Sequence, residues 1–160
     1  DVAGGIQLAH KATKEAKIAS SKILNEVSTT LKDYVIPAVV FTDPEISWVG
    51  LTEKEAKADN VSVTVSKFPW SASGRALTLN RTEGLTKIIS DPKSGRLLGV
   101  GIVGEHAGDL ISEAAIAIQA GMTVIDLADT IHPHPTLSES LMESAEHALG
   151  FCTHLVPLKK

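Results

Sequence analysis

From Gln7 to about Asn25 the residues Leu8, Ala12, Ala16, Ala19 and Ile23 recur at spacings of three and four among Lys, Glu and Ser. That spacing predicts an amphipathic α-helix. After a polar joint at Ser28-Thr29-Thr30 the period changes, and Val35-Ile36-Pro37-Ala38-Val39-Val40-Phe41 reads as extended chain. Its proline has no N–H to give to a ladder, so the segment belongs at an edge or at the entry to a sheet. The change places a boundary near Tyr34, with a helical segment over 1–34 and a globular unit over 35–160.

Within that unit, Thr42-Asp43-Pro44-Glu45 predicts a turn, 46–49 a short strand, and Thr52-Glu53-Lys54-Glu55 a capping box opening a helix through Ala58. Val61, Val63 and Val65 alternate with Ser62, Thr64 and Ser66, the pattern of a half-buried strand with one face inward. The apolar runs 85–89 and 97–103 flank Asp91-Pro92-Lys93-Ser94-Gly95, a turn suited to an antiparallel hairpin. Leu110, Ile111, Ala114, Ala115 and Ile118 form a helical stripe over 107–120 that ends at Gly121, with a shorter helix over 123–128 and a last one over 136–149. The middle of this pattern reads as hairpins rather than strand–helix–strand crossovers. The expected class is therefore α+β, an antiparallel β-sheet flanked by helices and preceded by the amphipathic helix.

Composition narrows the function. At 160 residues and 43% hydrophobic, the chain can bury one domain-sized core. A net charge of −4 with dispersed basic residues argues against a nucleic-acid groove or an anionic membrane surface. No apolar run approaches the roughly 20 residues of a membrane span, and no signal-peptide pattern opens the chain. The single Cys152 excludes an internal disulfide framework and fits a reducing, cytoplasmic location. Asp1-Val2-Ala3-Gly4-Gly5, with no methionine, reads as the interior of a longer protein or as a processed product.

The candidate chemistry lies in Ile131-His132-Pro133-His134-Pro135-Thr136-Leu137-Ser138-Glu139. His134 followed five residues later by Glu139 is the pattern of a general base with a carboxylate to orient it. Thr136-Leu137-Ser138-Glu139 is also a capping box, and in that alternative Glu139 only satisfies backbone donors; one carboxylate is not expected to fill both roles. His132-x-His134 could open a metal site, but further ligands would have to come from His106, His147, Cys152 or His154, none at a recognised spacing, so no metal is expected. Phe68-Pro69-Trp70 reads as packing, and Lys11, Lys14, Lys17 and Lys22 as a solvated helix face. Gly99-x-Gly101-x-x-Gly104 reads as strand interior with close backbone approach, not a phosphate cradle. With no dithiol, dinucleotide cradle or nucleophile elbow, the base must serve chemistry supplied by other residues or another polypeptide.

Four stretches together resemble the carboxy-terminal part of the dihydrolipoyl dehydrogenase family: 39–45 (Val-Val-Phe-Thr-Asp-Pro-Glu), 49–53, 68–76 (Phe-Pro-Trp-Ser-Ala-Ser-Gly-Arg-Ala) and 134–139. The resemblance implies a dimerisation domain preceded by the end of a FAD domain. It implies His134 and Glu139 as an acid–base pair reaching into the partner subunit's active site. Asp1 would hold the ribityl chain of FAD, and Leu8, Ala9 and His10 would offer backbone groups to its ring. The implied whole enzyme is a homodimer that oxidises dihydrolipoyl groups through a redox disulfide and FAD, reduces NAD, and docks on a dihydrolipoyl acyltransferase core. A non-enzymatic docking module and a mercuric or glutathione reductase-like relative are the competing readings. Pro133 and Asp109 depart from the family, which commonly carries alanine and glutamate there.

Overall fold

The computed structural model describes residues 2–26 and 29–156. The chain forms two compact units, Asp1–Ile36 and Pro37–Lys160.

In the first unit, helix α1 runs Ala9–Ile23 from an extended Leu8. Its apolar stripe is exposed at Ala12, Ala16 and Ala19, and Ile23 is 80% exposed. The lysines are not a uniformly solvated face, because Lys11 is buried and its Nζ bonds the Gly4 carbonyl and Glu15 Oε1, each at 2.8 Å. Four residues span one helical turn, which brings Glu15 over Lys11. Lys14 Nζ stands 3.6 Å from the centroid of the Tyr34 ring. A hydrogen bond with that ammonium holds the Tyr34 hydroxyl below its usual range.

The second unit is built on five antiparallel strands, β1 (Ala38–Val40), β2 (Glu45–Gly50), β3 (Thr64–Pro69), β4 (Leu85–Ser90) and β5 (Leu97–Gly104), in the order β1-β2-β5-β4-β3. The proline-bearing segment supplies β1 at one edge, with Pro37 just before the first paired residue, Ala38. Between β4 and β5 the hairpin is held by Asp91, whose Oδ1 accepts from Lys93 N at 3.0 Å and Ser94 N at 2.7 Å, while Gly95 takes φ +71°. The helices are α2 (Glu53–Ala58), α3 (Gly74–Leu79), α4 (Ala107–Gln119), α5 (Val124–Ala128) and α6 (Glu139–Leu149). α4 packs on β2 and β5, α6 on β3 and β4, and α5 on α6. The core lies between the helices and one sheet face, where the buried Val49, Val100 and Ile88 form one row across the ladders and Ile102, Thr86 and Phe68 the next. Burying such side chains supplies roughly 1.5–3 kcal/mol each.

Two expectations are corrected. β3 begins only at Thr64, and its inward face carries Ser66 and Phe68 while the valine phase at Val65 is half-buried on the other side. Ser66 is tolerated inside because its hydroxyl meets Ser144 Oγ on α6 at 3.3 Å, so no polar group is stranded. α6 starts at Glu139 rather than Thr136, because Thr136 is held in the loop by its amide on Glu139 Oε2 and its hydroxyl on the Pro133 carbonyl. Trp70 is fully buried and donates from Nε1 to Thr86 Oγ1 at 2.9 Å, which makes the Phe-Pro-Trp stretch core. The glycines of 99–104 are close-approach positions: a Cβ at Gly99 would lie 1.9 Å from the Leu51 carbonyl oxygen. No helix among the described residues is long and apolar enough to cross a membrane.

Candidate acid–base site

The loop between α5 and α6 presents His134 beside a pocket of about 210 Å³ lined by Phe68, Ser73, Gly74, Glu139, Glu143 and His154, among others. Gly74, at the start of α3, lies beside the ring: a Cβ there would stand 3.9 Å from His134 Cε1, an ordinary contact. His134 Nδ1 lies 2.9 Å from Glu139 Oε1. A carboxylate only accepts, so Nδ1 carries the hydrogen and Nε2 is left as the basic nitrogen. The His134 side chain is 73% exposed and Glu139 18%.

Glu139 fills both roles that the sequence set against each other. Its Oε2 accepts from the Thr136 amide at 2.7 Å while Oε1 holds the histidine. A carboxylate has about four lone-pair sites, so the two bonds do not compete. The bond from the Thr136 amide fixes the carboxylate, and the fixed carboxylate fixes the ring. Thr136 Oγ1 donates to the Pro133 carbonyl at 2.8 Å and closes the loop on itself.

His132 is placed quite differently. Its ring reaches Glu113 Oε1 on α4 at 2.7 Å through Nε2 and the Thr130 carbonyl at 2.8 Å through Nδ1, with a side chain 4% exposed. Both partners only accept, so both nitrogens donate and the ring is an imidazolium. The bond to Glu113 raises its pKa above the ordinary histidine value, against the opposing effect of burial. A ring so committed is no metal ligand. Glu113 is nineteen residues away on another element, and no sequence signal pointed to it.

Among the cofactor candidates, Asp1 lies outside the described residues. Leu8, Ala9 and His10 form the start of α1, where the first amides have no carbonyl four residues back inside the helix. Asp109 stands in the first turn of α4 with a 92% exposed side chain, and the bond to that helix start comes from Glu45, whose Oε2 accepts from Gly108 N at 2.8 Å. Sequence reasoning also missed a second cluster, of which Glu143 and His154 border the pocket. Glu143 accepts from Cys152 Sγ at 2.8 Å and pairs with His154 Nδ1.

The second unit is thus an antiparallel sheet backed by helices on one face, with an exposed, carboxylate-bound histidine on a proline-rich loop. Residues 36–145 match the model of the pyridine nucleotide-disulphide oxidoreductase dimerisation domain. The chain belongs to that family. It is 51% identical over 155 residues to dihydrolipoyl dehydrogenase of Halobacterium salinarum, covering 96% of this chain and 32% of the relative. To the enzyme of the same name from Thermus scotoductus it is 53% identical over 146 residues, 91% of this chain and 31% of the relative. Among solved structures, the HOCl-induced flavoprotein disulfide reductase RclA from Escherichia coli superposes with a TM-score of 0.84 at 31% identity, over 91% of this chain and 34% of its own. The chain thus spans about a third of the length of the relatives it matches.

Proposed function

We propose that this chain is the dimer-forming part of a dihydrolipoyl dehydrogenase, and that His134 is its acid–base catalyst, positioned by Glu139. The observation that carries the reading is the double engagement of Glu139, which locks Nδ1–H of His134 and leaves Nε2 as an exposed acceptor at a pocket. A dithiol substrate must lose a proton to attack, because only the thiolate is nucleophilic and a free thiol near pKa ~8.5 is mostly protonated at neutral pH. Nε2 takes that proton as the sulfur engages a disulfide held elsewhere in the enzyme. Glu139 stabilises the resulting imidazolium by charge and keeps the ring in one tautomer. Because the product is a disulfide, neither thiol proton goes back to it: the proton on Nε2 passes to the thiolate released from the enzyme's disulfide or to solvent.

FAD and NAD carry the electrons onward in such an enzyme. This chain's own contribution to FAD is the start of α1, where Leu8, Ala9 and His10 present first-turn backbone groups that suit ring carbonyls. The exposed apolar stripe of α1 supports its assignment to the end of a larger flavin domain, since such a stripe is normally covered. Homodimer formation and docking on an acyltransferase core belong to the same proposal. Identities near 50% to dihydrolipoyl dehydrogenases, against 31% to RclA, favour the lipoyl substrate over that of another disulfide reductase.

The test is His134→Gln in the full-length flavoprotein. Lipoamide turnover is expected to fall about 10²–10⁴-fold with flavin content unchanged. Turnover within twofold of the parent would overturn the assignment.

A further inference from the structure

Trp70, Thr86 and Ser140 form a polar chain that leads from the sheet to the start of α6, ending one residue from Glu139. All three are buried. The indole at its head is seated tightly: a Cβ at Gly84 or at Gly104 would overlap the ring, and the Trp70 amide donates to the Gly84 carbonyl at 2.9 Å. Nε1–H is thereby aimed at Thr86 Oγ1, 2.9 Å away, and Thr86 Oγ1 lies 2.8 Å from Ser140 Oγ. An indole nitrogen only donates, so the buried Thr86 hydroxyl, which has its own hydrogen to spend, gives it to Ser140. The bonds run from rigid ring to helix.

We propose that Thr86, aimed by Trp70 and acting through Ser140, is a positioning residue that sets the place of Glu139 and, through it, of His134. This inference deepens the acid–base reading and rests on it. The bonds within the loop tie its parts to one another: Glu139 holds His134 Nδ1 and the Thr136 amide, and Thr136 Oγ1 holds the Pro133 carbonyl. None of those bonds reaches the sheet. The bond between Thr86 and Ser140 does, and it arrives at the α6 residue next to Glu139. One turn further on, Ser144 Oγ meets Ser66 Oγ at 3.3 Å, so α6 is pinned at two points to the adjacent strands β4 and β3. Apolar packing alone tolerates small slides and rotations of a helix. Buried hydroxyls do not, because a bond left unmade strands a polar group away from water. Thr86, paired with Phe68 in the ladder, does not itself line the pocket, whereas Ser140 and Glu139 do, so it acts at one remove. A displacement of about 1 Å at a reacting group can cost ~10²-fold in rate, which is the margin such a brace protects.

The test compares two substitutions at Thr86 in the full-length flavoprotein. Thr86→Val keeps the shape and removes the hydroxyl, whereas Thr86→Ser keeps the hydroxyl and removes the methyl group. Lipoamide kcat is expected to fall about 10-fold in Thr86→Val with KM within about twofold, and to stay within about twofold of the parent in Thr86→Ser. Thr86→Val leaves the indole N–H without an acceptor, so flavin content and the denaturation midpoint are measured alongside. Should that variant not fold, Ser140→Ala, which breaks the chain at its other end, takes its place with the same expected loss. The decisive arm adds Thr86→Val to His134→Gln. If the hydroxyl acts through the base, the added substitution costs less than about twofold once the base is gone. A further tenfold loss in that background would mean general damage and overturn the proposal, as would parent-like turnover in Thr86→Val or equal losses in the valine and serine variants. Parent-like turnover in His134→Gln alone would instead overturn the acid–base reading on which the proposal stands.

Discussion

His132 and His134 flank Pro133 on one loop, and each is joined to a glutamate, at 2.7 and 2.9 Å respectively. In sequence they look interchangeable. In the folded chain the first is walled in, with both nitrogens donating to acceptors, and the second keeps one nitrogen toward a pocket. A carboxylate partner therefore does not make a histidine a base. What matters is whether the other nitrogen has been spent. His132 uses both to tie the loop to α4 and to its own backbone, and that anchoring holds its neighbour in place.

Exchanging the two histidines one at a time breaks the comparison most sharply. His134→Gln is expected to reduce turnover of the flavoprotein by about 10²–10⁴-fold while its denaturation midpoint stays put. Glu139→Gln should follow at about 10–10²-fold in turnover. An amide has one acceptor oxygen where two bonds are now accepted, so either the Thr136 amide or His134 Nδ1–H loses its partner. If Glu139→Gln turns over at the parent rate, Glu139 is a cap and nothing more.

His132→Gln reverses the pattern, with stability lost by roughly 2–3 kcal/mol in chemical denaturation and a smaller fall in activity. The value is set below that of a fully buried pair because Glu113 is 35% exposed.

The pH dependence of stability is the finest of these tests. His132 has a folded pKa raised above its unfolded one, so its contribution is complete below the ordinary histidine range and is lost as pH rises through the folded value. Cys152, held protonated up to about 12, acts with the same sign further into alkali. Urea midpoints measured from pH 6 upward should fall in two stages, and Glu113→Gln should flatten the first alone. A stability profile identical in parent and Glu113→Gln would mean that the buried pair carries no linkage.

Much of the molecule was legible because its signals act within one turn of chain. The Thr52 capping box forms as read, with Glu55 N to Thr52 Oγ1 at 3.2 Å and Thr52 N to Glu55 Oε2 at 2.9 Å. The Asp91–Gly95 turn joins β4 to β5, and Gly121 ends α4 at φ +72°. The His134–Glu139 pair spans five residues and could be read for the same reason. The inward phase of β3 could not, because alternation has two equivalent phases and only the serine of α6 opposite Ser66 selects one.

By itself, then, the sequence determined most of the elements, their caps and turns, and the His134–Glu139 pairing closed by local geometry. Hydrogen bonds over three to five residues form whatever the rest of the chain does. Tertiary structure alone decided that Glu113 captures His132, that Ser66 rather than Val65 faces inward, and that Glu143 on α6 meets both Cys152 and His154. Each of those depends on which helix covers which strands, and that is settled by packing across the whole sheet.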